Sequence, residues 1–263
     1  MRITPRLAVI TFLASAGLAA GQVINIDFDH SATNSVYQGL AAAPDPSGAT
    51  ARWNRMTGSG PSTILGSNFV DSDGQLTGVG LELEIDGSFL SAPGEQELGA
   101  GGIYGPLMSD YVFLSSPLAT QVVTGLGTIT GLDPGKLYDV FLYGQGDKFS
   151  EILYSEGQNT LFTINGISKQ TAWDGTPGGN GLLVEGLEYV KFSVAADLAG
   201  EIGFSYANVV SGPGGNVATD LDGANSRFAA INGIQIVDVA AVPEPASALL
   251  GAAGLLLLMR RRK

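Results

Sequence analysis

The chain contains no cysteine, which removes disulfide staples, thiolate nucleophiles and cysteine-ligated metals together. It has one histidine, His30. A zinc centre of several histidines is therefore impossible. A Ser-His-Asp triad would have to use His30, and no G-x-S-x-G elbow is present to place its serine. Positive charge is scarce as well. Six of the 13 Lys+Arg are Arg2, Arg6, Arg260, Arg261, Arg262 and Lys263, at the two ends. With Glu244 set aside beside them, the middle of the chain has seven cations against 24 acids, near −17. Such a surface repels phosphate backbones, which excludes nucleic acid as a partner, and it suits divalent cations or neutral polysaccharide. Long amphipathic helical periods are also missing between Gln22 and Val239.

What is abundant is glycine, 38 residues, about twice the usual share for this length and without a G-x-y period. Glycine at this density reads as turn chemistry between short strands. In VGLELEID, Val79, Leu81, Leu83 and Ile85 point one way and Glu82, Glu84 and Asp86 the other, as in a strand with one buried and one wet face. LYDVFLY (137–143) is apolar at nearly every position and belongs in the middle of a sheet. Asp133-Pro134-Gly135 before it is a turn, with Pro presetting φ and Gly supplying a positive one. Asn165-Gly166 separates TLFTI from ISKQTAW as a two-residue hairpin. Val190, Phe192 and Val194, then Ile202, Phe204 and Tyr206, alternate again, and FAAINGIQIVDV closes the domain. Nine to twelve short strands predict an all-β fold, an antiparallel β-sandwich or jelly roll over residues 22–239. The stretches 37–68 and 208–226 read as long loops, the first wrapping one end of the sandwich.

The two ends have a different grammar. Arg2 and Arg6, an apolar core from Leu7 to Leu13 and small residues before Gln22 make residues 1–21 a helical secretory signal peptide. Residues 240–263 begin with Pro243-Glu244-Pro245, continue as an apolar helix and stop at Arg260, Arg261, Arg262 and Lys263. The apolar run is short for a comfortable span, and the basic cluster supplies a positive-inside stop. Motif, order and position together resemble the PEP-CTERM sorting signal of Gram-negative bacteria. That resemblance covers only the last 22 residues or so. It implies transient insertion in the inner membrane, recognition of Pro-Glu-Pro by an exosortase-type membrane protease, and delivery to the cell surface or extracellular matrix, in bacteria that make exopolysaccharide. A permanent single-pass anchor is the alternative. In the middle of the chain, LYDVFLYGQGD, LFTINGISKQT, YVKFSVAADLAGEIGFSY and FAAINGIQIV resemble the later strands of galactose-binding-like jelly rolls. Leu132, Pro134, Gly135, Tyr138 and Val140 are also similar to the tyrosine-corner region of fibronectin type III, which any sandwich can use.

Few residues are candidates for chemistry. Glu82, Glu84 and Asp86 would be the carboxylates of a glycoside hydrolase, but three acids on one strand face read as solvation, and no catalytic residue is assigned. No cofactor is implied other than structural calcium. Asp71-Ser72-Asp73-Gly74 resembles the start of a calcium loop, and Asp220-Leu221-Asp222-Gly223 repeats the pattern. Trp53 and Trp173, each in polar surroundings, could stack on a sugar ring, or each could cap an end of the core. The expectation is a secreted, non-enzymatic protein with a structural or adhesive role in an exopolysaccharide or biofilm layer. A carbohydrate-binding module with a specific glycan is the alternative.

Overall fold

A computed structural model describes residues 22–30, 36–43, 51–90, 105–146, 158–172, 182–217 and 226–239. The signal segment, the sorting tail with Pro243, Glu244, Pro245 and Arg260 to Lys263, and the candidates Trp173, Asp220 and Asp222 lie outside them. Residues 21–240 form one compact unit. The described part is all-β. Its strands are β1 (Val23–Asp29), β2 (Asn54–Thr57), β3 (Ser62–Gly66), β4 (Gly80–Ile85), β5 (Gly87–Leu90), β6 (Asp110–Ser115), β7 (Thr124–Thr130), β8 (Leu137–Tyr143), β9 (Gln145–Gly146), β10 (Gln158–Ile164), β11 (Ile167–Gln170), β12 (Tyr189–Ala195), β13 (Ile202–Asn208), β14 (Phe228–Ile231) and β15 (Gly233–Asp238). One helical turn, α1 (Gly105–Met108), precedes β6. Among the described residues no helix is long and apolar enough to cross a membrane.

The strands form three sheets. The first runs β12-β8-β15-β1-β2, the second β11-β10-β13-β7-β4-β3 with β9 beside β10, and the third β14-β6-β5. Pairing is antiparallel except for β1 with β2. All three sheets face one core. Ile24, Ile26 and Phe28 of the first sheet share it with Leu81, Leu83 and Phe204 of the second and Val112 and Ile231 of the third. Each such buried side chain is worth about 1.5–3 kcal/mol relative to exposure, so this cluster is the main source of stability in a chain without disulfides.

Local chemistry explains the turns. Asn165 and Gly166 have φ of 50° and 75°, the paired positive values of a type I′ hairpin, and Ile164 faces Ile167 across it. Gly135 has φ of 75° after Pro134, as the turn into β8 requires. Tyr138 then accepts a hydrogen bond from the Asp133 backbone N–H at its hydroxyl, 3.1 Å, closing the tyrosine corner.

Two expectations need correction. The stretch 37–68 is not simply a loop at one end: β2 and β3 lie in it and form edges of two different sheets, and residues 36–43 and 51–53 lie on the outer face of the first sheet. There Tyr37, Ala43, Ala51 and Trp53 pack with Leu107, Met108, Phe141 and Tyr143 in a second, smaller core. The closing strand is also not continuous. It breaks at Asn232, where the chain leaves the third sheet and enters the first, because β14 pairs with β6 while β15 pairs with β1 and β8.

Candidate functional site

The second core makes β1 a strand buried on both faces. Its alternation still sorts the side chains: Ile24, Ile26 and Phe28 enter the main core, whereas Asn25, Asp27 and Asp29 point to the covered outer face. The polar groups there fasten the cover. Asn25 Nδ2 donates to the Arg52 carbonyl, 2.9 Å, and Gln235 Nε2 donates to Asn25 Oδ1, 2.7 Å. The Ala43 and Ala42 N–H groups donate to Gln235 Oε1, 2.9 Å, and to the Tyr143 hydroxyl, 2.8 Å. That hydroxyl donates in turn to Gln235 Oε1.

Further along the same face, Asp27 and Asp29 meet Asp110, the first residue of β6. The three carboxyls bring an oxygen each within 4.8 Å of one another, and all are buried. The Tyr37 N–H donates to Asp27 Oδ2, 2.7 Å, and the His30 N–H to Asp110 Oδ2, 3.1 Å. Arg55 Nε forms an ion pair with Asp29 Oδ2 at 2.5 Å. Burial pushes the Asp27 carboxyl up to about 9, reinforced by the charges of Asp29 and Asp110 and opposed by the Tyr37 N–H. Burial and Asp110 push Asp29 up to about 6, against the pull of Arg55.

A second feature lies on the third sheet. Phe89, Tyr111, Phe113 and Phe228, with Gln158, line a hollow of about 130 Å³. Phe113 meets Phe228 edge to face at 5.4 Å between ring centroids, and Phe89 lies 5.6 Å from Tyr111. The Tyr111 hydroxyl donates to Gln158 Oε1, 3.1 Å. Tyr111 and Gln158 are buried, while Phe89, Phe113 and Phe228 are half-buried. A shallow groove of about 330 Å³ also crosses the outer face of the second sheet, past Leu126, Thr128, Thr163, Gly203 and Ser205.

Most of the residues singled out in the sequence lie elsewhere. Trp53 is 5% exposed: its indole N–H donates to the Gly39 carbonyl, 2.9 Å, and its ring lies 5.2 Å from Tyr37 and 6.4 Å from Tyr143. It is part of the second core, and no sugar face can reach it. Asp71 and Asp73 occupy a tight turn, in which Asp71 Oδ1 already accepts the N–H groups of Asp73, 3.1 Å, and Gln75, 2.8 Å. Glu82 is exposed. Glu84 Oε2 accepts the Leu126 N–H, 2.9 Å, and Asp86 Oδ2 the Ser115 N–H, 2.7 Å. His30 is placed beside the acidic cluster by its backbone. Neither that cluster nor the aromatic hollow was anticipated. The one available signal was Asp27 and Asp29 two residues apart in the strand VINIDFD.

Fold and sites together define an all-β sandwich with a buried acidic cluster and a small aromatic hollow. No family model matches the chain, and no curated protein matches it. Among solved structures it is similar to the plant receptor-like kinase ANX2, with 13% identity and a TM-score of 0.32 over 66% of this chain and 52% of that one. It is also similar to TmCBM61, solved in complex with β-1,4-galactotriose, with 10% identity and a TM-score of 0.28 over 59% of this chain and 86% of that one. A third is the enzymatically active domain of bacteriophage CBA120 tailspike protein 4, with 12% identity and a TM-score of 0.28 over 60% of this chain and 19% of that one. This chain thus spans about half of the receptor-like kinase structure. At this level of likeness none of the three assigns it a ligand or an activity.

Proposed function

We propose that this chain is an exported, non-catalytic β-sandwich of the cell surface or extracellular matrix, with a structural or adhesive role in a polysaccharide layer. The destination rests on the two ends of the sequence: the signal segment before Gln22 and the PEP-CTERM-like tail from Pro243 to Lys263. The contact with polysaccharide rests on one observation, the hollow of Phe89, Tyr111, Phe113 and Phe228. The hollow, about 130 Å³, is small beside the roughly 300–1,000 Å³ of ligand clefts, which limits it to a single unit of a polymer. The half-buried rings of Phe89, Phe113 and Phe228 suit the apolar C–H faces of a pyranose, with Tyr111 and Gln158 as the buried floor of the hollow. With so few polar partners the binding is weak and gains strength by repetition along a polymer.

Affinity electrophoresis through gels containing neutral polysaccharides, the host's own exopolysaccharide among them, tests this reading. The full-length protein is expected to be retarded. Phe89→Ala and Phe228→Ala, with folding checked by thermal unfolding, are each expected to weaken retention about tenfold, the effect of losing roughly 1.4 kcal/mol of contact. Retention on no polysaccharide, or retention unchanged in both variants, would remove the hollow from the function.

A further inference from the structure

The meeting of Asp27, Asp29 and Asp110 demands a counter-charge that the described side chains do not complete. Ionised together, as a bound cation would have them, the three carboxyls face one guanidinium, that of Arg55, and carry a local charge of −2; without a cation, a proton on Asp27 makes up part of the difference. Uncompensated charge in a buried site is among the most costly arrangements a fold can hold. Hydrogen bonds do not remove the imbalance either. The N–H groups of Tyr37 and His30 each serve one oxygen, while Asp27 Oδ1 and Asp29 Oδ1 are fully buried and accept no hydrogen bond. Desolvated carboxylate oxygens with no donor, held against the oxygens of two further carboxyls, are suited to a cation.

We propose that Asp27, Asp29 and Asp110 bind one Ca²⁺ ion, which ties β1 to the start of β6. The charge of the ion cancels the local −2. The donor set is oxygen only, with no thiolate and no imidazole nitrogen engaged, which selects a hard cation. Calcium is favoured over magnesium because Mg²⁺ gives up its water reluctantly and demands near-ideal octahedral geometry, whereas Ca²⁺ accepts irregular, all-oxygen protein sites. The Asp71–Asp73 turn offers much less, because Asp71 Oδ1 is taken by two backbone N–H groups and Asp73 is exposed. The ion would sit where residues 36–43 and α1 are laid over the first sheet, so its binding holds the second core closed. This proposal is independent of polysaccharide binding.

The test is titration of the full-length chain with CaCl2 after removal of divalent ions by chelator, followed by calorimetry and thermal unfolding. We expect one ion per chain and a midpoint higher by about 4–10 °C at saturation, with a smaller rise in MgCl2 at equal ionic strength. Asp27→Asn/Asp29→Asn keeps the shape while removing two charges. It is expected to fold in chelator with a midpoint at or above that of the unmodified chain, and to show no calcium response. Asp71→Asn/Asp73→Asn is expected to retain the response. If the first variant does not fold, Asp110→Asn takes its place with the same expectation. The site is overturned by indifference of the unmodified chain to CaCl2, by a response that survives in the site variant, or by one lost in Asp71→Asn/Asp73→Asn.

Discussion

Asp27 shows how far a residue's meaning depends on what covers it. Alternation along β1 places Asn25, Asp27 and Asp29 on one face, the pattern of a wet strand surface, and nothing local to the strand says otherwise. Residues 36–43 and α1 bury that face, and Asp110 arrives from β6, too distant in sequence for any spacing to reveal. The consequence is visible in pH dependence. A carboxyl whose folded pKa lies above its unfolded value binds its proton more tightly in the folded chain. It therefore contributes stability that is fully present below the unfolded value, about pH 4, and is lost as pH rises through the folded one. For the metal-free chain those folded values are about 9 for Asp27 and about 6 for Asp29. In chelator, the unfolding midpoint of the unmodified protein is expected to fall relative to that of Asp27→Asn between pH 5 and 9. Thermal unfolding of the two proteins across that range measures the difference, and parallel profiles would mean that Asp27 does not titrate in this way.

At the scale of elements, the parts legible in the sequence were those fixed by neighbours along the chain. Asn165-Gly166 could only be a tight hairpin, Pro134-Gly135 only a turn, and Val79, Leu81, Leu83 and Ile85 formed one buried row because period two is a property of the strand itself. The parallel pairing of β1 with β2 and the change of sheet at Asn232 were not legible, since both depend on partners brought from afar. Asn232 shows what makes that change of sheet possible. Its Oδ1 accepts the Gln145 N–H at 2.8 Å, and its Nδ2 donates to the carbonyls of Met108, 3.2 Å, and Asp110, 3.3 Å. Its backbone N–H donates to the Tyr143 carbonyl and its carbonyl accepts from Phe28, both at 3.0 Å. One buried side chain thus serves groups on β9, α1 and β6 where the ladder is interrupted. Asn232→Ala leaves those groups buried without a partner, at roughly 1–3 kcal/mol apiece. Unfolding in urea is expected to show a loss of about 3 kcal/mol with an unchanged m value, and a loss below 1 kcal/mol would mean that the junction is held by packing alone.

For the whole molecule, composition carried more than pattern did. The absence of cysteine required a large core, and one core shared by three sheets supplies it. The scarcity of cations, with 13 Lys+Arg against 25 Asp+Glu, gives the chain a negative field. The same acidity suits the calcium binding proposed for Asp27, Asp29 and Asp110. The proposed destination rests on the ends of the sequence, among them Pro243-Glu244-Pro245, an apolar run and Arg260 to Lys263. A removable signal and a permanent anchor make opposite demands on mass and location. Intact mass and fractionation of the protein from its native host, with and without a functional sorting protease, separate the two. The expected result is a surface or released form that has lost the residues after Pro-Glu-Pro, and a full-length form held in the inner membrane when the protease is missing. A full-length form in the inner membrane of both strains would make the tail an anchor, and the polysaccharide contact would then have to be sought within the envelope.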